Sequence, residues 1–255
     1  SHQVVVVESP TGSGKTTQIP LILHEAGYTR RGIVGVTQPR RIAAVSVSQY
    51  IARQIGSAIP GTVGYKMRFE DRTDPSTVIK IMTDGILLQE MKGGRDLSAY
   101  SVIIVDEAHE RSLNIDFILG LLKGVLVRRP DFRVVVSSAT INVEVFSAYF
   151  DGCPIVSIDA PMYPVELQWE PPEAEGDLAS LVDKVAEIVF RIEKKGGPGD
   201  VLVFLMGELA IKECLQRLAD GDPDEHLQLL PLYARLSHEE QQRVFLDFPG
   251  RRKVI

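Results

Sequence analysis

The sequence predicts an α/β fold built on a parallel β-sheet. A run of four valines, Val4 to Val7, is followed at once by a glycine-rich turn and a helical pattern. Short Val- and Ile-rich runs then recur along the chain, separated by segments whose apolar residues have helical spacing. Continuous apolar strands that alternate with helices indicate a parallel sheet covered on both faces.

The predicted elements come in a regular order. After Val4 to Val7, the expected buried strands are Ile33 to Thr37, Val78 to Met82, Val102 to Val105, Val134 to Ser137 and Ile155 to Ile158. The expected helices between them are Arg41 to Ile55, Gly85 to Met91, Asp116 to Val127 and Val143 to Tyr149. We assign these elements to one domain, residues 1–160.

A change of composition marks a domain boundary. Between Asp159 and Asp177 the sequence contains four prolines and several acidic residues, which is typical of a linker, here residues 161–177. A second α/β series is expected in residues 178–255, with helices at Leu178 to Lys195, Glu208 to Leu218 and Ser237 to Phe248, and a strand at Val201 to Leu205. Because the chain begins with Ser1 and stops at Ile255 as an apolar run begins, we expect a piece of a longer protein with an incomplete second domain.

Composition narrows the class of protein. With 255 residues and 44% hydrophobic content, the chain can bury the core of one large domain or two modest ones. It contains no membrane-length apolar stretch, and its first residues do not resemble a signal peptide, so a soluble cytoplasmic protein is expected. The two cysteines are far apart, which suggests neither a disulfide nor a zinc site. A net charge of -6 does not exclude nucleic acid, because a cleft needs only local positive potential.

A phosphate-binding loop is predicted directly after the first strand. The sequence GSGKTT at Gly12 to Thr17 lies between a buried strand and a helix start, where backbone N–H groups and the helix dipole favour phosphate. Lys15 is expected to reach the β- and γ-phosphates, and the Thr16 hydroxyl to hold Mg²⁺. Ser9 replaces the first glycine of the full pattern, which is tolerable if that residue needs no positive φ. The predicted nucleotide-binding residues of this loop are Gly12, Ser13, Gly14, Lys15, Thr16 and Thr17.

Two carboxylates are predicted at the same edge of the sheet. Asp106 and Glu107 follow the apolar strand Val102 to Val105, at the carboxyl end where parallel sheets bind ligands. We expect Asp106 to bind Mg²⁺ and Glu107 to orient and deprotonate an attacking water. Two acids after a strand often cap a helix instead. Their combination with the phosphate loop favours nucleotide hydrolysis.

His109 follows this acidic pair. A zinc peptidase motif, H-E-x-x-H, would need histidine at position 113, and Leu113 stands there, so that chemistry is excluded. His109 is either a buried histidine bonded to its neighbours or a residue with a coupling role.

Six segments, taken in order, resemble the motifs of a known family. They are Gly12 to Thr17, Thr37 to Arg41, Thr83 to Gly85, Asp106 to Ser112, Ser138 to Thr140 and Leu232 to Ser237. Over nearly the whole chain they are similar to DEAH-box RNA helicases of superfamily 2, particularly the bacterial HrpA-type members. The resemblance implies two RecA-like domains, with ATP or another NTP and Mg²⁺ in the cleft between them and single-stranded RNA across both.

The resemblance also implies an RNA-facing surface. It would include Arg40, Arg41, Thr83 and Asp84 of the first domain. The position of the two arginines is consistent with this role, because they follow a buried strand at a loop-to-helix junction, where their guanidinium groups can meet phosphates. Ion pairs within the domain are the alternative for the arginines, and helix capping is the alternative for Thr83 and Asp84.

A coupling role is implied for three further residues. Ser138 and Thr140 follow the strand Val134 to Ser137, at the sheet edge that also carries Asp106. With His109, they resemble the residues that transmit the state of the γ-phosphate.

Three positions depart from the family pattern. Pro10 replaces the usual Glu and stiffens the phosphate loop. Tyr50 stands where many members have an arginine that stacks on the base, so Tyr50 is either a base contact or a packed helix residue. Met206 replaces a proline. The motifs that supply arginine fingers would lie beyond Ile255, so we expect this piece to bind nucleotide but to hydrolyse it poorly.

The favoured hypothesis is an ATP-dependent RNA helicase motor. A P-loop kinase would need an acceptor site and a lid, and the segments Thr37 to Arg41 and Ser138 to Thr140 argue against it. A nucleic-acid-binding module without catalysis would not need both Lys15 and Glu107. DNA in place of RNA stays open, because backbone contacts reveal little about the 2′-hydroxyl. Neither a membrane partner nor an obligate oligomer is predicted.

Overall fold

The computed structural model describes residues 2–94, 96–139, 143–160, 163–174 and 176–255, and of His238 the backbone alone. Thr140, one of the expected coupling residues, lies outside the described residues. The chain separates into two compact units, residues 1–164 and residues 165–255.

In the first unit, strands alternate with helices. The strands are β1 (Val4–Glu8), β2 (Ile33–Gln38), β3 (Val63–Met67), β4 (Glu70–Arg72), β5 (Ile79–Thr83), β6 (Tyr100–Val105), β7 (Arg133–Ser138) and β8 (Ile155–Ser157). The helices are α1 (Lys15–Glu25), α2 (Arg41–Gln54), α3 (Asp84–Gly93), α4 (Leu113–Arg128) and α5 (Val143–Tyr149). Short 3-10 helices cover Tyr28–Arg30 and Ala108–Glu110.

The eight strands form one sheet in the order β4-β3-β5-β2-β6-β7-β1-β8. Neighbouring strands are parallel, except that β3 and β4 form an antiparallel hairpin at one edge. The predicted α/β fold with a parallel sheet is therefore confirmed. The hairpin was not expected, because β4 consists of three charged residues that have low strand propensity.

Helices cover both faces of this sheet, and β6 shows why its sequence is continuously apolar. Val102 and Ile104 belong to the hydrophobic cluster that includes α1 and α2. Ile103 and Val105 belong to the cluster that includes α3, α4 and α5. Successive side chains of a strand point to opposite faces, so a strand between two helical layers needs apolar residues at every position.

The second unit is smaller. It contains α6 (Leu178–Lys195), α7 (Glu208–Asp220), β9 (Leu227–Leu229), α8 (His238–Gln242), a 3-10 helix (Arg243–Phe245) and β10 (Arg252–Val254). Strands β9 and β10 pair in parallel. Helices α6 and α7 bury Val182, Val189, Cys214 and Leu218 in one cluster.

Two predicted elements of this unit were too long. The expected strand Val201 to Leu205 is reduced to a single bridge between Val201 and Val254, continued by a backbone hydrogen bond from Val203 to Ile255. The helix expected to reach Phe248 ends at Gln242. Phe248 precedes Pro249, and a residue before proline is disfavoured in helical conformation.

No helix among the described residues combines the length and apolarity that crossing a lipid bilayer requires.

Candidate active site

The phosphate loop connects β1 to α1. Gly12 and Gly14 both have a φ of 84°, a left-handed conformation that other residues adopt only with strain. Gly14 is the N-cap of α1, so the first N–H groups of the helix, which have no partner inside it, lie at this loop. Ser9 is not among the residues with positive φ, and its hydroxyl donates to the Ile158 carbonyl at 3.1 Å. Serine is therefore compatible with the first-glycine position.

Two polar side chains of the loop are buried in a way that suits an anion. Ser13 Oγ is buried and has no hydrogen-bond partner among the residues that the structure describes. The Lys15 side chain is only 4% exposed, and its Nζ lies 3.9 Å from Glu107 Oε1. Burying a charge or a free hydroxyl is costly unless a partner compensates for the lost water. An oxygen-rich anion such as a triphosphate would supply that partner.

The acidic segment, residues 106–112, follows β6. Its first residue, Asp106, is fully buried and contacts the phosphate loop. Thr16 Oγ1 donates a hydrogen bond to Asp106 Oδ2 at 2.6 Å. Gln38 Nε2 donates to the same carboxylate oxygen. Ser137 Oγ donates to the other oxygen, Oδ1, at 2.6 Å. The structure thus brings the two predicted magnesium-binding side chains together and holds the carboxylate from two further sides.

Strand register explains why Gln38 and Ser137 lie there. Thr37 pairs with Val105 across β2 and β6, and Val105 pairs with Val136 across β6 and β7. The next residue on each strand is therefore Gln38, Asp106 or Ser137, side by side at the carboxyl edge of the sheet. Sequence reasoning missed Gln38 and Ser137, although Ser137 directly follows three valines and Gln38 follows the buried residues Val36 and Thr37.

His109 contacts two segments of the site. Its Nδ1 accepts a hydrogen bond from the Ala139 N–H at 3.2 Å, and its Nε2 lies 3.3 Å from Glu107 Oε2. Because an accepting nitrogen carries no proton, the neutral ring has its proton on Nε2, facing the carboxylate. His109 therefore touches both the acidic segment and the loop that follows β7.

The backbone of the acidic segment is strained. Glu107 has a φ of 53° and Arg111 a φ of 48°, and these two left-handed residues flank the 3-10 helix Ala108–Glu110. Such conformations cost about 1–3 kcal/mol each and cluster at functional sites. Glu107 is thereby placed between Lys15 and His109.

The predicted RNA-facing arginines begin α2. Arg40 Nη2 donates to Glu110 Oε1 at 3.0 Å, and the side chains of Arg40 and Glu110 are 78% and 30% exposed. The alternative of an ion pair within the domain thus holds for Arg40. Arg41, the first residue of α2, is exposed.

Asp84, also predicted to face RNA, is buried instead. It lies in the first turn of α3 and is 5% exposed. Burial raises the pKa of the Asp84 carboxyl to about 6; the negative charge of Glu110 adds to this shift and the nearby Thr37 hydroxyl opposes it. Thr83 occupies the N-cap position of α3 without a capping hydrogen bond from its side chain. The sequence could not show this burial, because it depends on parts of the chain far from Asp84 in sequence, among them those that carry Thr37 and Glu110.

The structure also describes the surroundings of two other predicted residues. Ser138 Oγ donates to the Ala139 carbonyl at 2.9 Å, so the hydroxyl that meets Asp106 belongs to Ser137. Tyr50 is 44% exposed on α2, so it is not a core residue of that helix.

Comparison with known proteins identifies the family. The sequence model of the DEAD/DEAH box helicase family matches residues 1–147, more than half of the chain. This chain belongs to the DEAD/DEAH box helicase family. The matched helicase region contains the phosphate loop, the acidic segment and β7 with Ser137 and Ser138.

Several curated helicases align with the chain along its whole length. It is 51% identical over 256 residues to the ATP-dependent RNA helicase HrpA of Borreliella burgdorferi, covering 100% of this chain and 31% of that protein. It is 46% identical over 260 residues to HrpA of Escherichia coli, covering 100% and 20%. It is 45% identical over 262 residues to the pre-mRNA-splicing factor ATP-dependent RNA helicase prp22 of Schizosaccharomyces pombe, covering 100% and 22%. The chain thus spans less than a third of the length of these helicases.

Proposed function

We propose that this chain is part of the motor of an ATP-dependent RNA helicase, in which NTP hydrolysis is coupled to single-stranded RNA binding and duplex unwinding. The observation that carries the proposal is the 2.6 Å hydrogen bond between Thr16 of the phosphate loop and Asp106 of the acidic segment. It unites, in one site, the two side chains that such a reaction needs around its metal ion.

Thr16 and Asp106 would hold Mg²⁺. A hydroxyl and a carboxylate are hard oxygen ligands of the kind that Mg²⁺ prefers. Mg²⁺ commonly takes one or two protein ligands and completes its shell with phosphate oxygens and water. When bound, it would neutralise charge on the phosphates.

The other residues of the site have separate roles in this proposal. The backbone N–H groups of residues 12–17 would bind phosphate oxygens, and Lys15 would place its buried ammonium beside the β- and γ-phosphates. Lys15 would then leave its long contact with Glu107, whose carboxylate would orient the attacking water and take its proton. Tyr50, exposed on α2, would stack on the base.

We further propose that His109, Ser138 and Thr140 couple nucleotide state to RNA binding. The hydrogen bond from the Ala139 N–H to His109 Nδ1 supports this role, because it connects His109, whose ring lies beside the Glu107 carboxylate, to the loop after β7. A change in the Glu107 carboxylate can pass through the imidazole to that loop.

Arg40, Arg41 and Thr83 would form the RNA-facing surface of the first unit. Both arginines are exposed and follow β2, where guanidinium groups can meet the phosphates of a strand. Asp84 would support this surface from the protein interior without touching RNA phosphates. Its carboxylate is buried, and a carboxylate at the surface would repel phosphate.

We also propose the domain organisation 1–160, 161–177 and 178–255, the last being the beginning of a second RecA-like domain. Helices α6 and α7 and the parallel pair β9 and β10 support an α/β character. Since the chain spans less than a third of its helicase relatives, residues 1–255 alone would bind nucleotide but hydrolyse it slowly.

The test is ATP hydrolysis by the complete protein and by residues 1–255, each with single-stranded RNA, with single-stranded DNA and without either. We expect RNA to stimulate the complete protein and Glu107→Gln to abolish turnover while ATP binding persists. Stimulation by DNA alone would redirect the proposal to a DNA translocase. Turnover that neither polymer changes, or full turnover in Glu107→Gln, would contradict it.

A further inference from the structure

Two side-chain contacts connect the end of β2 to the segment that follows β6. The first is buried: Gln38 donates to Asp106, at the centre of the nucleotide site. The second is at the surface: Arg40 donates to Glu110, four residues further along the acidic segment. The same two stretches of chain therefore meet once inside the nucleotide site and once where RNA is expected.

We propose that the Arg40–Glu110 ion pair is the switch through which RNA acts on the nucleotide site, with Glu110 as a positioning residue. An RNA phosphate replaces the Glu110 carboxylate on Arg40, and the released Glu110 shifts Glu107 and His109. The inference rests on the proposed function, in that Arg40 must face RNA.

Exchange of partners on Arg40 is physically favourable. The Arg40 side chain is 78% exposed, so a phosphate can reach its guanidinium without unfolding any element. Exposed ion pairs contribute little, whereas a phosphate can accept two parallel hydrogen bonds from a guanidinium. RNA brings several phosphates at once, and the carboxylate brings a single charge.

Release of Glu110 affects its neighbours for two reasons. Glu110 ends the 3-10 helix Ala108–Glu110, and its N–H donates to the Glu107 carbonyl at 2.9 Å. Glu107 and Arg111 on either side are held at positive φ, so this short segment has little freedom to absorb a displacement locally.

The experiment compares Glu110→Gln, Arg40→Ala and the double variant. Affinity for a short fluorescent oligouridine is measured without nucleotide, and ATP turnover is measured with and without the same RNA, using the complete protein. Glu110→Gln is expected to bind RNA more tightly, by up to about fivefold, the upper end of what one exposed ion pair contributes. Its RNA-free turnover rises, and its stimulation by RNA falls. If Glu110 had a purely structural role, its substitution would raise neither the affinity for RNA nor the turnover without RNA.

Asp116→Asn is the matched control. Asp116 pairs with Arg111 at 2.8 Å, so the substitution removes the same charge and opens an exposed ion pair in the same region, but releases a different arginine. The double variant Arg40→Ala/Glu110→Gln is expected to bind RNA as Arg40→Ala does, because the gain depends on a free Arg40.

The outcomes separate the switch from the proposed function. Suppose that Arg40→Ala weakens RNA binding. If Glu110→Gln then gains no more RNA affinity than Asp116→Asn, or gains as much in the Arg40→Ala background as alone, the switch is wrong and the helicase proposal stands. If Glu110→Gln binds RNA more tightly but its ATP turnover without RNA is unchanged, the switch is also wrong, because release of Glu110 then has no effect on Glu107. If Arg40→Ala binds RNA as the wild type does, Arg40 does not face RNA, and both the switch and that part of the proposed function fail.

Discussion

Thr16 and Asp106 are 90 residues apart in the sequence, and the Thr16 hydroxyl donates to the Asp106 carboxylate at 2.6 Å. The first residue belongs to a loop whose backbone suits phosphate, and the second is fully buried at the end of the central strand β6. A metal ion bound by both would draw phosphate oxygens towards Lys15, whose ammonium has a long contact with one acidic side chain of the described residues, that of Glu107. This geometry makes the magnesium dependence of nucleotide binding the most direct test of the site.

Thr16→Ala removes the hydroxyl that we propose as a Mg²⁺ ligand. We expect Mg²⁺-dependent affinity for a fluorescent ATP analogue to fall by at least about tenfold, the lower end of the effect of altering a metal's surroundings. Without Mg²⁺, the variant and the wild type should bind alike. Thr73→Ala is the control, because the Thr73 hydroxyl bonds to Asp71 beside the edge hairpin. An equal loss of affinity with and without Mg²⁺ would contradict the assignment.

Gln38→Leu keeps the approximate volume of a buried side chain but removes the donor to Asp106. The carboxylate then loses one of the groups that hold it, so we expect ATP turnover to fall by about 10- to 100-fold and the Mg²⁺ requirement to rise. Turnover against Mg²⁺ concentration is the measurement. Gln54→Leu, at the exposed end of α2, is the control. Unchanged Mg²⁺ dependence in Gln38→Leu would show that Asp106 needs no such support.

His109→Ala removes the bridge between Glu107 and Ala139. We expect stimulation of ATP turnover by RNA to fall by roughly tenfold, as for the loss of a hydrogen bond of about 1–1.5 kcal/mol. Affinity for ATP should stay close to that of the wild type, since His109 is not proposed to touch the nucleotide. His24→Ala, which loses a contact with Thr29, is the control. A parallel loss of ATP affinity would mean that His109 supports the site itself.

Asp84→Asn tests the buried carboxyl through the pH dependence of stability. Folding raises the pKa of Asp84 from 3.8 to about 6, so the folded state binds more protons and the free energy of unfolding falls as pH rises through that interval. Asparagine removes this cost. The variant should therefore gain on the wild type from about pH 4 to pH 7, by about 1–3 kcal/mol at the upper end. Urea unfolding at several pH values measures the gain.

Asp74→Asn is the control, and its effect on the pH dependence of stability should have the opposite sign. Hydrogen bonds from Ser76 lower the pKa of Asp74, so its carboxylate stabilises the folded state at neutral pH, and that contribution is lost as pH falls through the lowered value. Its substitution should lower stability at neutral pH and change little in acid. If the free energies of unfolding of Asp84→Asn and the wild type differ by the same amount at every pH, folding does not raise the pKa of Asp84.

Local patterns predicted most of the first unit because its elements are defined by neighbours in the chain. The predicted helix Val143 to Tyr149 has the observed bounds, and the strand Val102 to Val105 differs from β6 only at its start. The start of α4 was placed late, at Asp116 instead of Leu113. Ser112 caps that helix by accepting a hydrogen bond from the Ile115 N–H, and this local signal was missed.

The phosphate loop, the acidic segment and the parallel sheet can be read from the amino-acid sequence, because each depends on residues that are consecutive or regularly spaced. Three features required the folded chain: the bonds of Gln38 and Ser137 to Asp106, the pairing of Arg40 with Glu110, and the burial of Asp84. They could not be predicted because a strand's own residues do not specify its neighbours or their register. Those follow from the packing of helices on both faces of the whole sheet.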